Sequence, residues 1–281
     1  MDMVEARLHD GTSIEVEVLG HGPAVLIPVN PISATGIKAD ELRAWGVDPS
    51  LGRTFMEGLA SNFTVVAFDY EGHRMASPAP DTLTPDNIAS DILAVANSAG
   101  IDQFAYYGYS WLALCGLQLA LRTDRLTALV MGGFPPVDGP YKAMLQVTEA
   151  THRMASEPPQ RTSQPTASSD EFDWNSIDIA LTGAQTRQFV TLYRALGEFD
   201  DRTIQGRILC PRMCFVGSRD VIEYGDRWGG VRVAPADLDL DAVRSAGWDI
   251  EVLDGLDHTQ AMQPTHVLPI LKPWLEKVVG V

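Results

Sequence analysis

One serine stands where the chain changes its local pattern. In Tyr106-Tyr107-Gly108-Tyr109-Ser110-Trp111-Leu112, an apolar strand-like run passes directly into a helical pattern. A tight strand-to-helix turn lifts the serine oxygen above the carboxyl end of a sheet. It also aims the next backbone N–H, at the positive end of the helix, toward an oxyanion site. Gly108 allows the close approach of strand and helix that such a turn requires. The chemistry implied is nucleophilic catalysis by Ser110, with the Trp111 N–H as a donor. The competing reading is a serine that merely caps the helix.

The surrounding pattern supplies the elements that would hold this turn. Residues 7–9 and 13–19, separated by Asp10-Gly11-Thr12, predict an antiparallel hairpin. Short apolar runs at 24–28, 63–68, 104–107 and 126–131 predict strands covered on both faces. Helical patterns at 40–59, 85–99 and 112–122 alternate with them. That alternation implies an α/β fold, with a mainly parallel sheet and helices on both faces. After Met131 the pattern breaks. Residues 137–205 hold helical pieces at 141–154 and 185–196 around a Pro- and Ser-rich stretch, 156–173, expected to be a mobile loop. Strand-type sequence resumes at 212–216 and 249–253, and a terminal helix covers 264–279. The organisation expected is a core of residues 1–136 and 206–281, interrupted by a helical cap at 137–205.

At 281 residues the chain can bury one large core. Its formal charge is -16, from 37 acidic against 21 basic residues, and such a field repels nucleic-acid phosphates and anionic membranes. No apolar run approaches the ~20 residues needed to span a bilayer. The start, Met1-Asp2-Met3-Val4-Glu5, lacks the basic residues of a secretory signal. The three cysteines, Cys115, Cys210 and Cys214, suggest free thiols and a cytoplasmic setting. Cys210 and Cys214 lie in or beside an apolar run without a neighbouring histidine, so they are read as packing residues rather than metal ligands. Neither a phosphate-binding glycine loop nor a metal-ligand cluster is evident, so no cofactor is expected. The partner expected is a small-molecule substrate, and a homodimer is possible.

These motifs resemble the α/β-hydrolase superfamily over nearly the whole chain. Gly108-Tyr109-Ser110-Trp111-Leu112 is similar to the family elbow Gly-x-Ser-x-Gly, with Leu112 in place of the last glycine. Asp69-Tyr70-Glu71-Gly72-His73-Arg74 is similar to Asp-x-Arg-Gly-His-Gly, with Glu71 for the arginine and Arg74 for the second glycine. The resemblance implies an eight-stranded sheet and an inserted helical cap. It assigns the acid to Asp220, which ends Phe215-Val216-Gly217-Ser218-Arg219-Asp220, and keeps Asp138 as the alternative. It assigns the base to His258, which ends Leu253-Asp254-Gly255-Leu256-Asp257-His258. Ser110, Asp220 and His258 then follow the family order of nucleophile, acid and base. Gly72 and His73 are expected to serve the turn and its hydrogen bonds.

The resemblance places a second oxyanion donor in Ile27-Pro28-Val29-Asn30-Pro31-Ile32. The prolines have no N–H, which leaves Asn30 first and Val29 next. Relatives with an aspartate nucleophile often carry tryptophan at the position of Trp111. Its indole N–H could therefore face the pocket and donate to a substrate oxygen, or the ring could be core. The implied activity is serine hydrolysis of a carboxylic ester or lactone of small to medium hydrophobic size. A thioesterase, a carbon–carbon bond hydrolase and a non-catalytic receptor could use the same machinery. Tyr141, Met144, Leu145, Phe189, Leu192, Tyr193 and Trp228 are candidates to line a pocket. Residues 221–247 exceed what the family pattern explains, and the roles open to them are to extend the cap, bind substrate or contact another subunit.

Overall fold

The computed structural model describes residues 2–156, 181–223 and 230–281. Eight strands form one sheet in the order β1 (Asp2–Arg7), β2 (Ser13–Gly20), β4 (Thr64–Ala67), β3 (Ala24–Ile27), β5 (Phe104–Tyr109), β6 (Leu126–Gly132), β7 (Arg212–Gly217) and β10 (Asp249–Leu253). The β1–β2 and β2–β4 pairs are antiparallel, and every pair from β4 to β10 is parallel. Because side chains alternate faces along a strand, the apolar runs feed two cores at once. Leu26, Val66, Tyr106, Leu129 and Cys214 face one core, whereas Val25, Val65, Tyr107, Val130 and Phe215 face the other. Helices α4 (Pro85–Ser98) and α5 (Trp111–Ala120) cover the first face. Helices α2 (Leu51–Leu59) and α10 (Pro264–Val279) cover the second.

Several local expectations shift. The pattern read as one helix over 40–59 is two, α1 (Gly36–Ala44) and α2. Gly46 adopts a positive φ of 72°, and Asp48 accepts from Ser50 N at 2.8 Å and Thr54 Oγ1 at 2.9 Å, so a turn separates them. The first strand lies at β1 rather than 7–9, because its exposed Asp2, Met3, Glu5 and Arg7 give little apolar signal at a sheet edge. A short helix, α3 (Tyr70–Ala76), occupies the segment read as a turn; the Asp69 side chain caps it by accepting from Gly72 N at 2.9 Å. Helices α6 (Tyr141–Ser156) and α7 (Gly183–Ala195) pack together above the carboxyl end of the sheet. The Pro- and Ser-rich stretch beyond Ser156 lies outside the described residues. No described helix is long and apolar enough to cross a membrane.

Beneath α3, a polar cluster ties the hairpin to the sheet. Asp91, fully buried, accepts from His9 N and Tyr70 Oη, both at 2.7 Å, and pairs with His9 Nδ1 at 2.9 Å. Arg74, also fully buried, reaches Asp10 Oδ2 at 2.6 Å and lies 5.5 Å from the centre of the Tyr70 ring. Burial would raise the Asp10 carboxyl, but hydrogen bonds from Arg74 and Thr12 outweigh it and hold the group well below the usual carboxylate range. Replacing Asp10 by Ala strands a buried guanidinium, and the expected loss of stability is about 3–5 kcal/mol by urea denaturation. Because the folded pKa is depressed, this contribution is present above the unfolded value of about 4 and fades as the pH falls below it. Asp10→Asn should flatten that part of the stability–pH curve; an unchanged curve would remove Asp10 as its source.

Candidate active site

Ser110 sits between β5 and α5 with φ 56° and ψ -131°, a conformation that costs a non-glycine residue roughly 1–3 kcal/mol. The surroundings hold it there. Ser110 N donates to Gly132 O at 2.8 Å, and Tyr109 Oη donates to His258 O at 2.7 Å. A Cβ on Gly108 would collide with the Leu112 carbonyl, so strand and helix can only meet this closely through glycine. The second close approach is one turn later than the family elbow would place it. A Cβ on Gly116 would lie 2.6 Å from the Tyr106 ring, whereas Leu112 packs its side chain into the core. The Trp111 and Leu112 backbone N–H groups, in the first helical turn, donate to none of the described residues. They remain available to an anion.

His258 begins α9 (His258–Ala261), where Asp257 caps the helix by accepting from Gln260 N at 2.8 Å. Its Nδ1 lies 2.8 Å from Asp220 Oδ1. A carboxylate has no proton to give, so Nδ1 donates and Nε2 is left to accept. Asp220 is fully buried, and its Oδ2 has no partner among the described residues. Its backbone is pinned on both sides, since Asp220 N donates to Gly217 O at 3.2 Å and Asp220 O accepts from Val233 N at 3.0 Å. Asp138 is elsewhere. It forms an exposed pair with Arg202, whose Nε lies 2.6 Å from Asp138 Oδ1.

Part of the stretch 221–247 follows Asp220 directly and packs against α6. Strands β8 (Val221–Glu223) and β9 (Gly230–Arg232) form a two-stranded antiparallel ribbon directly after Asp220. Val231 and Val233 pack on Val147 of α6. The ribbon therefore links the acid loop to the helices above the sheet.

Ser110, Trp111 and His258 line one cavity of about 310 Å³. Its roof comes from Met144, Val147, Thr148 and Thr151 of α6 and from Gln185, Thr186, Phe189 and Tyr193 of α7; Leu181 and Ile222 add to the walls. Tyr141 and Leu192 instead pack in the core, with Leu145 against it, because their helix faces turn toward the sheet. Trp228 lies outside the described residues. No hydrogen bond joins Ser110 Oγ to His258 Nε2. Such contacts are often long in a ligand-free site and tighten when substrate binds. A larger groove of about 490 Å³, lined by Asp86, Arg122 and Glu198 among others, contains none of these groups.

The remaining predicted residues are placed differently. Asn30 is exposed and does not line the cavity, although its N–H donates to none of the described residues; Val29 N–H is committed to Ile27 O at 2.9 Å. His73 Nε2 bonds Thr12 Oγ1 at 2.9 Å, away from Ser110. Cys115 and Cys214 are buried, and burial raises both thiols, Cys214 to about 12. Among the described residues, no cluster of three or more His, Cys, Asp or Glu could hold a metal ion.

Glu71 was not among the site residues expected from the sequence, yet it lines the same cavity. Burial raises its carboxyl, the Trp111 indole opposes that rise, and the charge of Asp69 adds to it. The residue as a whole is nonetheless exposed. The departure from the arginine of the family pattern was the one signal in the sequence.

No protein-family model matches the chain. The RutD protein of Rhizobium rhizogenes, whose name provisionally assigns it to carbamate hydrolysis, is 35% identical over 72 residues. That match covers 25% of this chain and 28% of the relative, so the chain spans little more than a quarter of the relative's length. Among solved structures, a thermophilic esterase from Thermogutta terrifontis has a TM-score of 0.61, with 18% identity and 99% of each chain covered. Epoxide hydrolase VrEH1 from Vigna radiata has a TM-score of 0.62, with 15% identity and 98% of each chain covered. Lactonases are matched at similar levels. Likeness at this identity speaks to the fold.

Proposed function

We propose that this chain, which has the α/β-hydrolase fold, is a serine hydrolase that cleaves a carboxylic ester or lactone through an acyl-enzyme. The observation that carries the reading is the pairing of a strained Ser110 with His258 across one cavity, the histidine itself anchored 2.8 Å from a buried Asp220. Strain at a non-glycine residue is retained where function needs the geometry. A serine used only as a helix cap has no reason to adopt it, and Ser110 caps nothing with its side chain.

In the proposed cycle His258 Nε2 takes the Ser110 hydroxyl proton as Oγ bonds the substrate carbonyl carbon. The oxyanion accepts from the Trp111 N–H in the first turn of α5. Collapse breaks the bond to the alkoxy oxygen, which leaves with the proton from His258. Water then gives a proton to His258 and attacks the acyl carbon, and the acid departs as Ser110 recovers its proton. Asp220 stays ionised and stabilises the imidazolium. The roof of Met144, Val147 and Phe189 suits an apolar acyl or alkyl portion.

Rapid mixing with a p-nitrophenyl ester tests the two-step scheme. The expected result is a burst of nitrophenolate stoichiometric with enzyme, and an acyl mass on the Ser110 peptide. Turnover of thioesters or vinylogous diketones with esters left intact would replace the ester reading.

A further inference from the structure

We propose that Tyr109, the residue before Ser110, is a positioning residue that holds His258 in register with the nucleophile. The inference rests on the hydrolase reading above and adds a residue that acts through the base. Its support is the way the three loops are tied together. The acid and base loops are joined directly, since Ser218 N donates to Leu253 O at 2.9 Å and Arg219 N to Leu256 O at 3.0 Å. The bond from His258 Nδ1 to Asp220 adds to these. Among the described residues, the nucleophile turn has no backbone hydrogen bond to either loop, because Ser110 N is spent on Gly132 O. Tyr109 supplies the link. Its Oη donates to His258 O at 2.7 Å, and its ring centre lies 5.0 Å from that of the imidazole, the planes tilted by 48°.

The neighbouring strands leave room for this contact. Tyr109, Gly132 and Phe215 lie side by side on β5, β6 and β7. A Cβ on Gly132 would fall 2.3 Å from the Phe215 ring and 2.6 Å from the Tyr109 ring. One on Gly133 would fall 2.6 Å from the Tyr109 ring and 2.9 Å from His258 Cε1. Two consecutive glycines thus vacate the space in which phenol and imidazole meet. A tyrosine that only filled the core would still need a partner for its hydroxyl, and any nearby carbonyl would serve. This hydroxyl takes the carbonyl of the base, from a residue bonded to the nucleophile. One side chain therefore fixes both ends of the proton transfer. Helix α9 has 4 residues and is too short to hold its own position. A misplacement of about 1 Å can cost on the order of 10²-fold in rate, so a tether at this point acts on the chemical step.

The test is Tyr109→Phe, which keeps the ring and removes the hydroxyl. On a p-nitrophenyl ester it should lower kcat by about tenfold with KM within about twofold, and the melting temperature should stay within a few degrees of the parent. Made on Asp220→Asn, the same substitution should cost less than about threefold, because a histidine in the wrong tautomer gains little from being well placed. An undiminished kcat in Tyr109→Phe overturns the proposal. A tenfold loss that recurs in full on Asp220→Asn overturns it too, since Tyr109 would then act on the turn and not through His258. Hydrogen exchange followed by mass spectrometry reads the tether without turnover. Tyr109→Phe should speed exchange in the peptide holding residues 258–263 by about fivefold or more, with the rest of the chain unchanged. Acceleration confined to that peptide supports the tether even if no ester is hydrolysed, and the serine reading alone then falls. Unchanged exchange overturns the tether even if the serine chemistry stands.

Discussion

Ser110→Ala should lose at least about 10³-fold in kcat on any ester the protein turns over, and it should lose all labelling by a fluorophosphonate. The probe reacts only with an activated serine, and mass spectrometry of the digested protein locates the adduct. In the wild-type protein the adduct should map to Ser110 alone. The variant is a clean comparison, because Ser110 Oγ makes no hydrogen bond to any described residue and alanine keeps the same backbone strain. Its melting temperature should therefore stay within a few degrees of the parent. Residual hydrolysis would reflect the oxyanion donors and binding alone. Labelling that persists in the variant, or maps to another serine, would remove Ser110 as the nucleophile. A folded protein that never labels would turn the reading toward ligand binding.

Asp220→Asn should lower kcat by about 10³–10⁴-fold while leaving KM nearly unchanged. The carboxylate oxygen 2.8 Å from His258 Nδ1 can only accept, which keeps the proton on that nitrogen. An amide can donate there instead, and the histidine then carries its proton on Nε2 and cannot take one from serine. Stability should respond in the opposite sense or not at all. Asp220 is fully buried and its Oδ2 has no partner, so a neutral side chain of the same shape removes a desolvated charge. Activity and urea denaturation measured on one preparation separate the two effects. Asp138→Asn serves as the comparison, because that carboxylate is half-exposed and paired with Arg202. It should change kcat less than about twofold. A large loss in Asp138→Asn with none in Asp220→Asn would exchange their roles.

The strands and most helices were legible because their signals are local. Val25, Val65, Tyr107 and Val130 alternate with neighbours facing the other core, and both faces are covered, so each run reads as continuously apolar. The bounds of β10 and α10 match the pattern in the sequence, each being closed by turn or cap residues. Edge strand β1 and short helix α3 were harder. One has four of its six residues exposed, and the other is held by a cap and a buried arginine rather than by propensity.

That Ser110, Asp220 and His258 each follow a strand was legible, since a strand end and the turn after it are written in a few consecutive residues, while their roles in that order were what the family resemblance implied. Which carboxylate reaches His258 is another kind of fact. Asp220 and Asp138 both follow apolar strands, and the choice depends on whether β7 or β6 delivers its loop to α9, with Val233 pinning one and Arg202 claiming the other. Glu71 makes the same point. In the sequence it is a substitution in a turn; in the fold α3 carries it to the cavity beside Trp111, 40 positions later. Such neighbours are set by long-range packing of helices on a sheet, where no residue's own pattern names its partner.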